Sequence, residues 1–220
     1  MLLLKNLIQS DALFSGYSFR EKIEHNPNGD VGILQMKDIK DNYLSFDYQN
    51  IDKVSDFIFK DKFYLQKNDI LFVSKGVNNF AIVIEDIHFK VVPSATFFVI
   101  RVDEKKVIPE YIVWYINQKE AQNYLNEKKA GTYVPNLNKQ DIMELPIKVP
   151  SLKTQKAIAK TAVLLNREIE ILEKIKTNRK ELIQIQRKIK LTKHFGEHAI
   201  LLEVLLIHRN TKIIFWFLCF

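Results

Sequence analysis

The chain has 220 residues, 33 basic against 26 acidic side chains for a net charge of +7, and 47% hydrophobic residues. That composition excludes a disordered chain, whose low hydrophobicity keeps a core from forming, and it suits one globular domain with an appendage. Cys219 is the single cysteine, which excludes an internal disulfide framework and makes a reducing cytoplasm the expected compartment.

At the amino terminus Met1–Leu4 is apolar, but Lys5 interrupts it and no small-residue cleavage site follows, so no signal peptide is expected. From Val31 to Val102 the pattern is strand-like. Residues 31–36, 69–74, 80–86 and 95–102 are rich in β-branched and aromatic side chains and are bounded by Gly, Asn, Asp or Pro. Between the second and third of these runs, Gly76, Asn78 and Asn79 tolerate left-handed backbone angles and predict a tight connection on a sheet edge. Pro109 suits the first position of a helix. Tyr111, Trp114, Tyr115, Ala121, Tyr124 and Leu125 recur at near-helical spacing and predict one helix to about Lys128, with that stripe in the core. Gly131 ends it, and residues 131–138 form a loop. Asn138 is placed to cap a short helix, with Asp141 three residues on to meet its exposed amides. Leu145–Pro150 holds two prolines and must be extended.

After Pro150 the character changes: from Ser151 to about His194 there is neither Gly nor Pro, and strong helix formers dominate. One helix of that length would reach roughly 65 Å. Ile158, Ala162, Leu165, Ile169 and Leu172 step by four, three, four and three, the seam of a coiled-coil-type helix. Ile175, Leu182, Ile185 and Ile189 continue it, and the short step from Leu172 to Ile175 predicts a local change of winding. Such a helix wants another helix beside it, and Ile158, Leu165, Ile169, Leu172, Ile175, Leu182 and Ile189 are the expected pairing residues. The final stretch, 196–220, has two apolar runs split by His208, Arg209, Asn210 and Lys212. A bilayer span wants about 20 unbroken apolar residues, so no membrane association is expected and the tail's role stays open.

Charge is unevenly placed. Residues 1–150 hold 19 basic and 20 acidic side chains, whereas residues 151–195 hold 12 against 4. A positive field of that kind attracts a polyanion such as nucleic acid, and a solvated helix face is the competing explanation. Catalytic patterns are missing. There is no phosphate-binding Gly loop with Lys-Ser or Lys-Thr, no dinucleotide-binding Gly motif and no nucleophile elbow. His194 and His198 are separated by Phe-Gly-Glu, which is not a metalloprotease helix. The sequence therefore predicts a binding protein with no catalytic residues and no metal site.

In one order along the chain stand Gly16-Tyr17-Ser18-Phe19-Arg20, Leu34-Gln35-Met36-Lys37-Asp38-Ile39, Asp69 to Gly76, Gly131 to Asn138, Leu145-Pro146-Ile147 and Pro150-Ser151-Leu152-Lys153-Thr154-Gln155-Lys156. Over roughly residues 6–190 the chain thereby resembles the specificity subunit of type I restriction-modification systems, in a half-length form with a single target-recognition domain. The resemblance implies a mixed α+β recognition domain over 1–148, with a small twisted sheet and flanking helices, then a long spacer and dimerisation helix over 149–195 and a tail over 196–220. It implies a non-catalytic subunit that reads one half of a bipartite sequence in double-stranded DNA and docks methyltransferase (modification) subunits and the restriction subunit. S-adenosylmethionine, ATP and magnesium are then expected in those partner subunits, with no cofactor held by this chain. The usual subunit carries two recognition domains and two helices, so this chain would pair with itself or with another half-subunit through the helix.

On that basis the expected DNA-binding residues are Ser18, Arg20, Lys37, Ser74, Lys75, Asn78, Asn79, Thr132, Tyr133 and Asn136, since Arg or Lys suits guanine, Asn suits adenine, and Ser or Thr meets phosphates or base edges. Lys156, Lys160, Arg167, Lys174, Lys176, Arg179 and Lys180 are candidates for phosphate or modification-subunit contact. Two other functions stay open on sequence alone: a stand-alone dimeric DNA-binding regulator, and a helical adaptor protein that binds no DNA.

Overall fold

A computed structural model describes residues 1–40, 46–55, 58–76, 78–84, 87–129 and 136–195. The chain divides into two units, Met1–Asn166 and Arg167–Phe220.

The first unit is built on a four-stranded antiparallel sheet in the order β2-β8-β5-β6, formed by β2 (Ile8–Ser15), β8 (Phe97–Val102), β5 (Ile70–Val73) and β6 (Ala81–Val83). Its central strands are apolar at every position or nearly so, because both faces are covered. Ile70 and Phe72 on β5, with Phe98, Ile100 and Val102 on β8, face a core shared with the helices. Leu71, Val73, Phe97 and Val99 face the opposite core. That second core is closed by a three-stranded sheet, β4 (Asp52–Val54), β3 (Val31–Leu34) and β7 (Lys90–Pro93), in which β3 and β7 run parallel.

Three of the four expected strands form as β3, β5 and β8, and the fourth run supplies the shorter β6. The sequence pattern does not disclose β2, β4 or β7. In β2 the polar Gln9-Ser10-Asp11 breaks the alternation; the register shifts there and Asp11 takes a positive φ of 54°. The expected single helix from Pro109 is two, α1 (Pro109–Ile116) and α2 (Lys119–Lys129). Asn117 ends α1, and its side chain pairs with the edge strand like one more peptide unit: the Ala81 N–H donates to its Oδ1 at 2.8 Å, and its Nδ2 donates to the Ala81 carbonyl at 2.9 Å. Closing that sheet edge outweighs continuing the helix.

The short helix α3 (Lys139–Met143) has the expected cap, with the Asp141 N–H on Asn138 Oδ1 at 3.0 Å and the Asn138 N–H on Asp141 Oδ2 at 2.8 Å. Next, β9 (Pro146–Ile147) pairs with β1 (Leu2–Leu3). The long helix α4 runs Leu152–Phe195. Gln155 fastens its first turn to the domain: fully buried, it accepts from the Ile108 N–H at 3.0 Å and donates to the carbonyls of Pro150 and Lys106 at 2.9 and 3.2 Å. From Arg167 to Lys190 every described side chain is exposed. Among the described residues no helix is long and apolar enough to cross a membrane. The tail 196–220 lies outside the described residues.

Candidate DNA-recognition surface

The turns that follow strands β2, β3, β5 and β7 meet at one concavity of about 520 Å³, whose lining includes Ser18, Gln35, Lys37, Lys75, Ser94 and Thr96. Each turn is placed by backbone pairing. After β2, the Gly16 N–H donates to the Phe97 carbonyl at 2.9 Å and the Tyr17 N–H to the Pro93 carbonyl at 2.7 Å. A Cβ on Gly16 would lie 2.2 Å from the Ser94 carbonyl oxygen, so only glycine permits this approach. Ser18 and Arg20, which follow, are exposed. Arg20 borders an adjoining hollow of about 870 Å³ that also carries His25 and Asn26.

After β3 the chain makes a tight turn over Met36–Asp38. Asp38 Oδ2 accepts from the Gln35 N–H at 2.7 Å, and burial pushes the Asp38 carboxyl above its ordinary pKa. The exposed Lys37 ammonium is paired with Asp52, which also accepts from Gln35 Nε2 at 2.8 Å. The hydrogen bond to Asp52 raises the Lys37 pKa. Burial opposes ionisation of Asp52, yet the hydrogen bond and charge of Lys37, with Gln35, outweigh it and hold this carboxyl below its usual value. His25 Nδ1 lies 3.6 Å from Asp52 and accepts from the Lys53 N–H at 3.3 Å. One carboxylate thus organises Gln35 and Lys37 at the rim.

After β5, the Ser74 N–H and hydroxyl both donate to the Thr96 carbonyl, at 3.0 and 2.9 Å, and the Ser74 carbonyl accepts from the Leu137 N–H at 3.0 Å. Lys75 and Asn136 form an isolated backbone bridge, so the segment holding the exposed Asn136 is stitched beside the exposed Lys75. Gly76 takes a φ of +95° with open space around it; of the three residues expected to tolerate left-handed angles it alone uses one.

The expected site residues therefore separate. Ser18, Lys37 and Lys75 share a concavity, with Asn136 bonded alongside Lys75; Arg20 lines the neighbouring hollow. Asn78 is exposed but lines neither. Two expectations need correcting. Ser74 and Asn79 are 2% and 3% exposed, and their side chains are turned to backbone carbonyls, Asn79 Nδ2 donating to Val73 at 2.8 Å; they hold the turn rather than present it. Thr132 and Tyr133 lie outside the described residues. Gln35, His25, Asp52 and Thr96 were not foreseen. Gln35 stands inside a motif already singled out, but the pairing with Asp52 is a long-range contact with no local signal.

Of the expected pairing residues, Ile158 belongs to the first unit and is half-buried against its core. Leu165, Ile169, Leu172, Ile175, Leu182 and Ile189 are 42–58% exposed.

Residues 4–191 match the family model described as the type I restriction modification DNA specificity domain. No curated protein matches the chain. Among solved structures, a chain from a type I R-M system shares the fold at a TM-score of 0.64 and 12% identity, over 90% of this chain and 50% of its own length. The HsdS subunit from Thermoanaerobacter tengcongensis gives 0.59 and 12% over the same shares. The S subunit from M. genitalium gives 0.51 and 19%, over 85% and 42%. The chain thus spans about half the length of the structures it resembles. With most of its residues matched in order and its fold shared with subunits of this kind, the chain belongs to the type I restriction modification DNA specificity domain family.

Proposed function

We propose that this chain is a non-catalytic sequence-recognition subunit: residues 1–148 read one half of a bipartite DNA target, and the helix that follows sets the distance to the other half. The observation that carries this is the convergence of Ser18, Lys37 and Lys75 on one concavity, with Asn136 stitched beside Lys75. Three turns from separate strands there present a cluster of exposed donors, on a domain whose overall charge is too near zero for bulk attraction to DNA. Base-edge readout needs such a local set of donors.

The exposed apolar seam from Leu165 to Ile189 supports pairing with a second copy or with another half-subunit. With two identical copies the target would be two-fold symmetric. On this proposal methyl transfer and cleavage belong to modification and restriction subunits in the cytoplasm, which bring S-adenosylmethionine, ATP and magnesium. The test is to co-express the chain with a modification subunit from the same genome and to sequence the host DNA for methylated adenine. Methylation at a split motif that disappears when this chain is deleted is expected, symmetric for a self-paired chain and asymmetric for pairing with another half-subunit. A complex that leaves the DNA unmethylated would overturn the proposal.

A further inference from the structure

The second unit carries a charge pattern that the apolar seam does not explain. In heptad terms Ile158, Leu165 and Leu172 hold one core position, and Ala162 and Ile169 the other. At Leu172 to Ile175 the step is three where four is due, so the frame slips by one residue. Asn178 and Ile185 then continue the first position. The outermost position of the heptad lies two residues after it. That position is occupied by Lys153, Lys160, Arg167, Lys174, Lys180 and Arg187, at steps of seven, seven, seven, six and seven. The single short step falls where the seam slips, so ridge and seam share one helical frame.

None of Glu168, Glu170, Glu173 and Glu181 falls on this position. A solvated face mixes both signs of charge; this one keeps a single sign. Within the second unit Arg167, Lys174, Lys180 and Arg187 are all exposed, about 10 Å apart along the helix from the rise per residue. The position is opposite the seam, so pairing of the helix leaves it open.

We propose that this ridge tracks the phosphate backbone of duplex DNA without reading sequence, which rests on the DNA-recognition function proposed above. The spacing is close to the width of the DNA major groove, about 12 Å, so successive cations can meet phosphates on its two edges. The ridge would supply the electrostatic attraction that a domain of near-zero charge lacks.

The test is titration of the full chain with a 40-base-pair duplex of arbitrary sequence at several salt concentrations. Two variants with equal change in net charge are compared: Arg167→Gln with Lys180→Gln and Arg187→Gln on the ridge, and Lys188→Gln with Lys190→Gln and Lys193→Gln at other heptad positions. Each lost phosphate contact lowers the slope of log affinity against log salt by about 0.9. The ridge variant is expected to lose about 2.7 from that slope and at least tenfold in affinity, with helicity and sedimentation mass unchanged, while the other keeps most of both. Equal losses in the two variants, or a ridge variant that binds like the parent, would overturn the ridge while leaving base recognition by the domain standing. No salt-dependent binding by the parent chain would overturn both.

Discussion

The two units use their side chains in opposite ways. In residues 1–166 four polar groups of ligand-like type are turned inward: Ser74, Asn79, Asn117 and Gln155 all bond to backbone. In the helix beyond, apolar groups that look like core are turned outward, with Ile169, Leu172 and Leu182 all more than half exposed. Residue type alone therefore misleads in both units. A buried polar side chain must find a partner and so is consumed by the fold, whereas a stripe of exposed Leu and Ile is stable only if something else covers it.

The comparison would break most visibly at the seam. Leu165→Asp with Leu172→Asp places two charges where apolar burial between helices is expected, at a cost of several kcal/mol. Self-association should weaken on the order of 100-fold or more and sedimentation should report the single chain, while the thermal unfolding of the first unit stays put. An unchanged mass would refute pairing through this face.

Gln155 tests the other side. Gln155→Leu keeps the volume but strands the Ile108 N–H and the Lys106 and Pro150 carbonyls. Each buried group left unpaired costs about 1–3 kcal/mol, so denaturant unfolding should show a loss of about 2–3 kcal/mol or more with no change in helix content from Arg167 onward. A neutral result would mean that the first turn of α4 is not fastened by this side chain.

The difference also explains what could be read in advance. β5 and β8 are legible because a strand covered on both faces is apolar throughout, and α3 because Asn138 and Asp141 are a local cap. The long helix is legible from what it lacks. The break at Asn117 is not, since its cause is an edge strand some 36 residues away, nor is the burial of Ser74 and Asn79, whose residue types suit a loop tip equally well. In the candidate site Lys37 and Lys75 are legible from motif order, while Asp52, which positions Lys37 and Gln35, reaches them only through the β3–β4 pairing.

Within the concavity the expected effects are smaller. The Lys75 side chain is exposed and its backbone is held by Asn136, so Lys75→Ala should leave unfolding unchanged. Its loss should cost about 1–3 kcal/mol on the methylated target and far less on unrelated DNA. Equal losses on both would make Lys75 a phosphate contact, like those assigned to the ridge.

Asp52 gives the smallest effect and the finest distinction. Its folded-state pKa is depressed, so its contribution to stability is fully present above the ordinary carboxylate value and is lost as pH falls through the depressed one. Asp52→Asn should therefore cost up to about 1 kcal/mol at neutral pH, the scale of a partly exposed ion pair. Parent and variant should then converge in acid, below the depressed value. Asp38 acts in the opposite sense: its raised pKa means that ionisation opposes folding, so Asp38 cannot produce that convergence. At neutral pH Asp52→Asn also frees the Lys37 ammonium from its carboxylate, so binding to unrelated DNA should tighten by a few-fold even as stability falls. A variant that loses both stability and nonspecific affinity would show that Asp52 presents Lys37 to DNA rather than restraining it.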